Sequence, residues 1–248
     1  MKVKILRNEL KDFLAPIVRV SEGGNSACAL YIEKDLLYTI TYTPDLVCIY
    51  YGKLKPVSVE EFKAPLTVYI ADIRRILTAL SAIDDEEIVL DIDDKCISYK
   101  SPTIKFKCFL LDEAVAPKQR LNADRINEMT YDTEFIINET AFSRINKGCV
   151  FTENNGKIYF YTENDKVFID IDDKAAQHNV NNITFIASDG YEGSKIEPIS
   201  PLTIESFKII GAAKNSVLTK VNISKGIYMF YYKDNNVESR YLIRALKS

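Results

Sequence analysis

The sequence predicts an α+β protein of two similar domains, each a duplicated β-α-β-β-β unit with helices on one side and antiparallel sheets on the other. Four amphipathic stretches begin near Asn8, Ala71, Asn138 and Ile204. Each is followed by short runs that alternate apolar and polar residues, as strands do. Pro-Leu-Thr precedes the second and fourth stretches, and Asn-Glu opens the first and third. Repetition at this offset indicates an internal duplication.

The first half contains two such units. Residues 2–6 alternate like a strand, Asn8 is a candidate N-cap, and a helix follows with apolar residues at i, i+3, i+4 and i+7: Leu10, Phe13, Leu14 and Ile17. Strand-like runs come next at residues 27–33, 36–41 and 46–51. The second unit has a strand at 66–70, Asp72 in the first helical turn, and the same spacing at Ile73, Ile76, Leu77 and Leu80. Its strands are predicted at 87–91, 96–100 and 104–111.

The second half repeats this order. A strand at 134–137 leads to Asn138, which we expect to cap a helix carrying Phe142, Ile145 and Cys149. Strands follow at 157–162, 166–170 and 183–187. The last unit has a strand at 201–204, a short helix in ESFKIIGAAK, and strands at 217–223, 227–232 and 237–246. Residues 113–130 are polar without a strand period. We therefore predict domains at 1–112 and 131–248, joined by a connector at 113–130.

The composition limits the function classes. The chain is acidic, with Lys+Arg 32 against Asp+Glu 35, so any contact with nucleic acid must come from a segregated basic patch. No apolar run approaches the roughly 20 residues that a membrane-spanning helix needs, so no membrane partner is expected. The start of the chain becomes charged too soon for a signal peptide. Five widely spaced cysteines without a CxxC pair indicate a reducing, intracellular compartment and no zinc site.

Basic side chains collect on the helix faces opposite the apolar stripes. At about 100° per residue, the far side of the second helix carries Arg74 and Arg75. The first helix places Lys11 and Arg19 there, and the third places Arg144 and Lys147. In the fourth, Lys208 points away beside Glu205, and Lys214 lies nearer the core edge. The acidic tracts lie in other elements, at 84–87, 91–94 and 170–173. This segregation predicts a surface that binds a polyanion.

The order, lengths and helix polarity resemble those of the DNA sliding clamps of tailed bacteriophages, archaea and eukaryotic nuclei. Residues 66–112 carry the resemblance best, with a strand, a helix with a basic outer face, an Asp-Asp turn and a Ser-Pro hairpin before the last strand. The ending NVESRYLIRAL is similar to the last strand of a clamp. The chain departs from the pattern in lacking an acidic tail, in an irregular loop at 174–181, and in a short last helix poor in basic residues.

The resemblance implies a ring of three head-to-tail subunits around duplex DNA, bound without regard to sequence. An ATP-dependent clamp loader would place the ring, which would tether the replicative DNA polymerase and, in some phages, assist late transcription. No covalent chemistry, catalytic residue, metal or cofactor is expected. Frequent Tyr, Ile, Lys and Asn fit an AT-rich genome. The resemblance to phage clamps implies the cytoplasm of a phage-infected bacterium as the location. The pore would be lined by the basic helix residues: Lys11, Arg19, Arg74, Arg75, Arg144, Lys147, Lys208 and Lys214.

Two further surfaces are implied by the resemblance. Subunits would join through exposed strand edges that use Lys105, Lys107 and Phe109 on one side and Ile183 and Phe185 on the other. Both phenylalanines are equally well interpreted as core residues. Partner peptides would dock in an apolar groove formed by Leu46, Val47, Leu121, Ile243 and Ala245, which could also be core positions.

Two alternatives remain open at this point. The first is a monomeric or dimeric viral processivity factor of the same fold that binds DNA on an open face. The second is a metal-dependent nuclease, because DIDD occurs at 91–94 and at 170–173 and carboxylates bind Mg²⁺. The two copies occupy different places in their units and are better interpreted as turn acids at strand ends. His178 is the only histidine, and no GxSxG, P-loop or GxGxxG motif is present.

Overall fold

The structure is a computed structural model that describes residues 1–21, 26–116, 121–151, 156–172, 182–198, 200–213 and 215–246. The chain divides into two compact units. The first comprises Met1–Thr43, Tyr50–Asn127 and Asn235–Ser239, and the second comprises Pro44–Ile49, Glu128–Asp234 and Arg240–Ser248. Each unit therefore includes a short segment from the other half of the sequence.

The first half of the chain contains the predicted pair of repeats. The first repeat has the elements β1 (Lys2–Leu6), α1 (Arg7–Val20), β2 (Cys28–Ile32), β3 (Leu37–Tyr42) and β4 (Cys48–Leu54). A short strand, β5 (Ser58–Glu60), precedes the second repeat. That repeat has the elements β6 (Leu66–Ile70), α2 (Ile73–Ser81), β7 (Glu87–Ile92), β8 (Cys96–Lys100) and β9 (Lys105–Leu111).

A short helix, α3 (Ala123–Asn127), lies inside the predicted connector, where the side chain of Asn122 accepts the Arg125 N–H at 3.0 Å. The third repeat has the elements β10 (Thr133–Ile137), α4 (Glu139–Phe151), β11 (Lys157–Glu163), β12 (Lys166–Asp172) and β13 (Ile183–Ser188). Another short strand, β14 (Glu192–Gly193), precedes the fourth repeat. That repeat has the elements β15 (Leu202–Thr203), α5 (Ile204–Lys208), β16 (Val217–Asn222), β17 (Ile227–Asp234) and β18 (Val237–Arg244).

The sheets are antiparallel in both units. In the first unit the neighbours run β3-β2-β6-β9-β8-β7-β1-β5, and β1 pairs with β7 from Lys2↔Asp91 to Leu6↔Glu87. In the second unit they run β14-β10-β16-β17-β18, with a separate sheet in the order β13-β12-β11-β15. The α+β prediction with a β-α-β-β-β unit repeated four times is confirmed.

Each unit packs its helices on its sheets. In the first unit Phe13 of α1 is fully buried, and its carbonyl accepts the Tyr50 hydroxyl at 3.0 Å. In the second unit the Phe142 and Phe207 rings of α4 and α5 lie 5.4 Å apart, and Phe160 meets Phe230 at 6.2 Å. Burial of each such ring stabilises the fold by roughly 1.5–3 kcal/mol, which fixes the helix orientation.

The sequence predicted the N-cap of α4 correctly and the N-cap of α1 wrongly. Asn138 caps α4 as predicted, because its side chain accepts the Ala141 N–H at 2.8 Å. Asn8 does not cap α1: the cap position is Leu6, without a side-chain hydrogen bond. The first helical N–H, of Arg7, instead donates to the Glu86 carbonyl at 2.8 Å. A tertiary contact thus replaces the local cap, and Asn8 lies one residue inside the helix.

Candidate nucleic-acid interface and partner surfaces

Helix α2 separates an apolar face from a basic one. Ile73, Ile76 and Leu80 are buried, whereas Arg74 and Arg75 are exposed. The helix packs beside α1 within the first unit. The predicted orientation of both arginines is therefore confirmed at the level of burial.

Helix α1 places Lys11 and Arg19 at half-exposed positions. Its acidic residue Glu9 is turned into the unit, where it is 7% exposed and both carboxylate oxygens accept the Asn236 side-chain amide at 3.1 Å. Asp12 remains exposed. Sequence analysis did not identify the removal of Glu9 from the solvent face, because its partner is 227 positions away in the chain.

The start of α2 carries a polar cluster. Asp72 is the N-cap, not a first-turn residue, and its Oδ1 accepts the Arg74 backbone N–H at 3.0 Å and the Ser26 hydroxyl at 2.5 Å. The Arg74 guanidinium binds both carboxylate oxygens, Nε to Oδ1 at 2.9 Å and Nη2 to Oδ2 at 3.3 Å. The Arg74 side chain, followed by the Ser26 hydroxyl, lowers the pKa of Asp72 to about 2. The carboxylate is thus charged throughout the physiological range.

The second unit presents a similar basic face. Arg144 and Lys147 on α4 and Lys208 on α5 are exposed, and the two helices meet through the Phe142–Phe207 contact. Glu139 and Glu205 lie in the first turns of these helices, where acidic groups favour the helix dipole. Lys214, the remaining predicted pore residue, lies outside the described residues.

The described residues of the acidic tracts lie on turns and strands, and Asp173 lies outside the described residues. Asp93 fits its interpretation as a turn acid, because Oδ1 accepts the N–H groups of Lys95 at 2.8 Å and Cys96 at 2.7 Å, and these bonds lower its pKa. Asp170, by contrast, is not a turn acid. It lies inside β12 and accepts the Thr184 hydroxyl at 2.7 Å across the sheet. Within the described ranges, no three His, Cys, Asp or Glu side chains are grouped closely enough to hold a metal ion.

Among the described strands, β9 and β13 each have a backbone edge that is at least partly unpaired. Strand β9 pairs with β8 from Lys100↔Lys105 to Cys96↔Phe109, and with β6 only at Tyr69↔Leu111 and Ile70↔Leu110. Phe109 on this strand is 69% exposed, and the Lys107 ammonium lies 5.2 Å from its ring centroid. Lys105 and Lys107 are also exposed. The core interpretation of Phe109 is therefore wrong.

Strand β13 is the other edge, with β12 as its neighbour in the sheet order. Ile183 and Phe185 are half-buried, and the Phe185 ring packs over Gly148 of α4. Val150 and Phe151 follow Gly148 and are 77% and 54% exposed. Sequence analysis did not single them out, although both lie off the apolar stripe of α4, which was the available signal.

A groove of about 510 Å³ lies within the second unit. Its lining is mostly apolar and comprises Leu46, Val47, Ile49, Met129, Ser224, Lys225, Ile227, Leu242 and Arg244. The Arg244 N–H donates to the Val47 carbonyl at 2.8 Å, which joins the 44–49 segment to the last strand. Leu46 is 39% exposed and has a φ of 59°, an unusual conformation for a leucine.

Three of the five predicted groove residues do not line this groove. Ile243 and Ala245 are 0% and 7% exposed, because side chains alternate along β18 and it is Leu242 and Arg244 that point into the groove. The prediction was therefore one residue out of register. Leu121 belongs to the first unit, where it lines a separate cavity of about 460 Å³ with Tyr31 and Tyr38.

Among the described helices, none is long and apolar enough to cross a membrane.

Comparison with solved structures decides the fold. An A. fulgidus PCNA, determined with the C-terminal region of FEN-1 bound, matches with a TM-score of 0.77 and 14% identity over 100% of this chain and 98% of that chain. PCNA from Entamoeba histolytica matches with a TM-score of 0.75 and 12% identity over 99% and 98%. The chain has the fold of the DNA sliding clamps.

A bacterial clamp structure extends this likeness. A putative DNA polymerase III beta subunit from Eubacterium rectale matches with a TM-score of 0.75 and 14% identity, over 100% of this chain and 66% of that one. No protein-family model and no curated protein sequence matches the chain. The sliding-clamp fold is therefore recognised through element order and geometry at a level of identity where sequence similarity is weak.

Proposed function

We propose that the protein is a ring-forming sliding clamp that encircles duplex DNA and tethers a replicative DNA polymerase. One observation carries the proposal: on a sliding-clamp fold, an acidic chain has basic side chains that are exposed on α2, α4 and α5 and half-exposed on α1, while the described residues of its acidic tracts lie on turns and strands. The proposed DNA-binding residues are Lys11, Arg19, Arg74, Arg75, Arg144, Lys147, Lys208 and Lys214.

The chemistry of these side chains suits sliding. Contacts with base edges would discriminate sequences by about 1–3 kcal/mol each and would impede movement from one base pair to the next. Lysine and arginine on long side chains bind phosphates without reading sequence and exchange readily with counterions. No covalent chemistry is required, so the protein would act as a tether and not as an enzyme.

Self-association would use the two exposed edges. Unpaired strand edges are templates for pairing with another chain, and apolar side chains beside them add buried area. Strand β9 with Phe109 would join β13 with Ile183, Phe185 and the nearby Val150 and Phe151. Because the two edges differ, the contact would be head-to-tail, and such a contact forms a ring when the rotation between successive copies closes. Three copies is the number that the resemblance implies for this chain length.

Partner proteins would dock in the 510 Å³ groove of the second unit. An exposed apolar groove normally marks a binding site. The similar A. fulgidus PCNA structure holds the C-terminal region of FEN-1, which supports peptide docking as the mode of partner binding. Leu46, Val47 and Leu242 would supply the apolar contacts. We also propose that an ATP-dependent loader places the ring on DNA. The protein would act in a phage-infected host cell and would assist late transcription there.

Topological linkage is the property to test. Purified protein is incubated with a linear duplex that has biotin at both ends, and streptavidin then blocks the ends before a wash in 1 M salt. A ring that has threaded onto the duplex stays bound, because salt removes ionic contacts but cannot release a closed ring. Cutting the duplex with a restriction enzyme then releases it.

The controls separate the proposal from its rivals. Blocking the ends before adding protein should prevent retention. The double variant Arg75→Glu/Arg144→Glu should keep the oligomeric mass in light scattering but lose most of the retained protein. A monomer or dimer that binds on an open face would be washed off in either order of blocking, and that result would overturn the proposal.

A further inference from the structure

The two neighbouring arginines of α2 differ in their surroundings. Arg74 makes a two-bond ion pair with the Asp72 carboxylate, at 2.9 and 3.3 Å. Arg75 is exposed and makes no ion pair with any residue that the structure describes. The two arginines are neighbours on a candidate DNA-binding face. Arg74 is held in an ion pair, whereas Arg75 is available to bind a ligand.

Asp72 is held in place independently of the arginine side chain. Its Oδ1 also accepts the Ser26 hydroxyl at 2.5 Å and the Arg74 backbone N–H at 3.0 Å. The Asp72 side chain is 24% exposed, against 61% for Arg74. The carboxylate would therefore stay beside the helix start if the guanidinium moved away, and it would attract the guanidinium back.

This arrangement has a consequence for phosphate binding. An exposed ion pair is weak, typically about 0–1 kcal/mol, so Arg74 is restrained by it but not locked. A phosphate that approaches Arg74 also approaches Asp72, and the two negative charges repel each other. A phosphate that approaches Arg75 meets a cation that has no ion pair among the described residues. The ion pair contributes no net charge to the face of α2.

We propose that Asp72 is a positioning residue that keeps Arg74 in an internal ion pair. Of the two α2 arginines named above among the proposed DNA-binding residues, Arg75 alone would then supply the phosphate contact. The inference rests on the proposed function, since it assumes that this helix faces DNA. Asp72 would thus reduce the number of phosphate contacts that α2 makes, and each such contact steepens the dependence of log affinity on log salt by about 0.9.

The test measures binding of the full-length protein to a fluorescein-labelled, open-ended duplex by anisotropy between 50 and 200 mM salt. Asp72→Asn should tighten binding and steepen the salt dependence by about 0.9 for each subunit whose released arginine meets a phosphate. Asparagine is as good an N-cap as aspartate, so α2 should remain folded, which circular dichroism checks. Arg75→Ala should flatten the salt dependence by the same amount. Arg74→Ala leaves the Asp72 carboxylate without its ion pair, so it should weaken binding but flatten the salt dependence by less than Arg75→Ala does.

Two further variants separate release of Arg74 from a mere change of net charge. The double variant Asp72→Asn/Arg74→Ala should return to the wild-type salt dependence. Asp94→Asn, which removes an exposed carboxylate from a turn, should have no effect. If the double variant keeps the steeper dependence, or if Arg74→Ala and Arg75→Ala flatten the salt dependence equally, the inference is overturned. Failure of the wild-type protein in the end-blocking assay would instead remove the proposed function, and this inference with it.

Discussion

The Phe185 ring lies so close to the backbone of Gly148 that a Cβ added to the glycine would be 2.6 Å from Phe185 Cε2. The same Cβ would lie 3.0 Å from Ile171 Cδ1. Gly148 is in the interior of α4, where glycine costs about 1 kcal/mol relative to alanine. The close approach between helix and edge strand explains why glycine is nevertheless used here.

We predict that Gly148→Ala destabilises the protein. The gain in helix propensity, about 1 kcal/mol, is outweighed by an overpacking cost of about 1–3 kcal/mol. The net loss should therefore be up to about 2 kcal/mol in urea denaturation. Gly190→Ala is the matched control, because an added Cβ there meets nothing within 4 Å. Phe185→Leu should partly rescue Gly148→Ala by removing the ring. An alanine variant as stable as wild type would contradict this packing argument.

Self-association should depend on Phe109. The residue is 69% exposed, so Phe109→Asp should change the free energy of unfolding by no more than about 0.5 kcal/mol. It should nevertheless shift the mass in light scattering to that of a single chain, because a charge would be buried at the proposed contact. Val89→Asp provides the control: Val89 is 45% exposed on β7, which has a strand on either side. If Phe109→Asp leaves the oligomer intact, the edge of β9 is not the contact.

Leu46 combines exposure with an unfavourable backbone conformation. A left-handed φ costs about 1–2 kcal/mol for most residues, and asparagine tolerates it. Leu46→Asn should therefore leave the stability unchanged or raise it by up to about 1 kcal/mol. It should also weaken binding of C-terminal peptides from the DNA polymerases of the same genome roughly tenfold, equivalent to about 1.4 kcal/mol.

Calorimetric titration of those peptides measures the effect of Leu46→Asn. Ile136→Asn serves as its control, since Ile136 is 57% exposed but lies on β10 and does not line the groove. Equal losses of affinity in both variants would indicate that general surface hydrophobicity, and not the groove, binds the peptides.

The sequence predicted the fold and the basic faces well because both rest on local patterns. Helical spacing fixed the buried stripe of α2, so the exposure of Arg74 and Arg75 followed directly. Asn138 was recognised because its cap bond reaches only three residues ahead. The repeated order of elements predicted the same fold that comparison with solved structures identifies.

The features that sequence missed depend on distant partners or on strand phase. Glu9 is buried by an amide 227 positions away, and Asn8 loses its cap role to a contact with the Glu86 carbonyl. The resemblance placed Ile243 in the groove, and a strand of apolar residues gives no indication of which alternate side faces the groove. The pairing of Arg74 with Asp72 needed coordinates, because a helix wheel shows direction and not contacts.

The pH dependence of stability should report the Asp72 cluster. A carboxyl group whose pKa is lowered on folding stabilises the native state above its unfolded value, near 3.9, and loses this contribution as pH falls through the folded value, about 2. Wild type should therefore be more stable than Asp72→Asn at pH 6. The difference should narrow as pH falls from about 4 towards 2. Urea denaturation of both proteins at pH 6, 4 and 3 measures this difference in the free energy of unfolding, provided that unfolding is cooperative at each pH. The difference in stability between wild type and Asp93→Asn should also narrow as pH falls, because backbone N–H groups lower the pKa of Asp93. If the difference in the free energy of unfolding between wild type and Asp72→Asn is the same at pH 6, 4 and 3, Arg74 and Ser26 do not stabilise the Asp72 carboxylate in the folded protein.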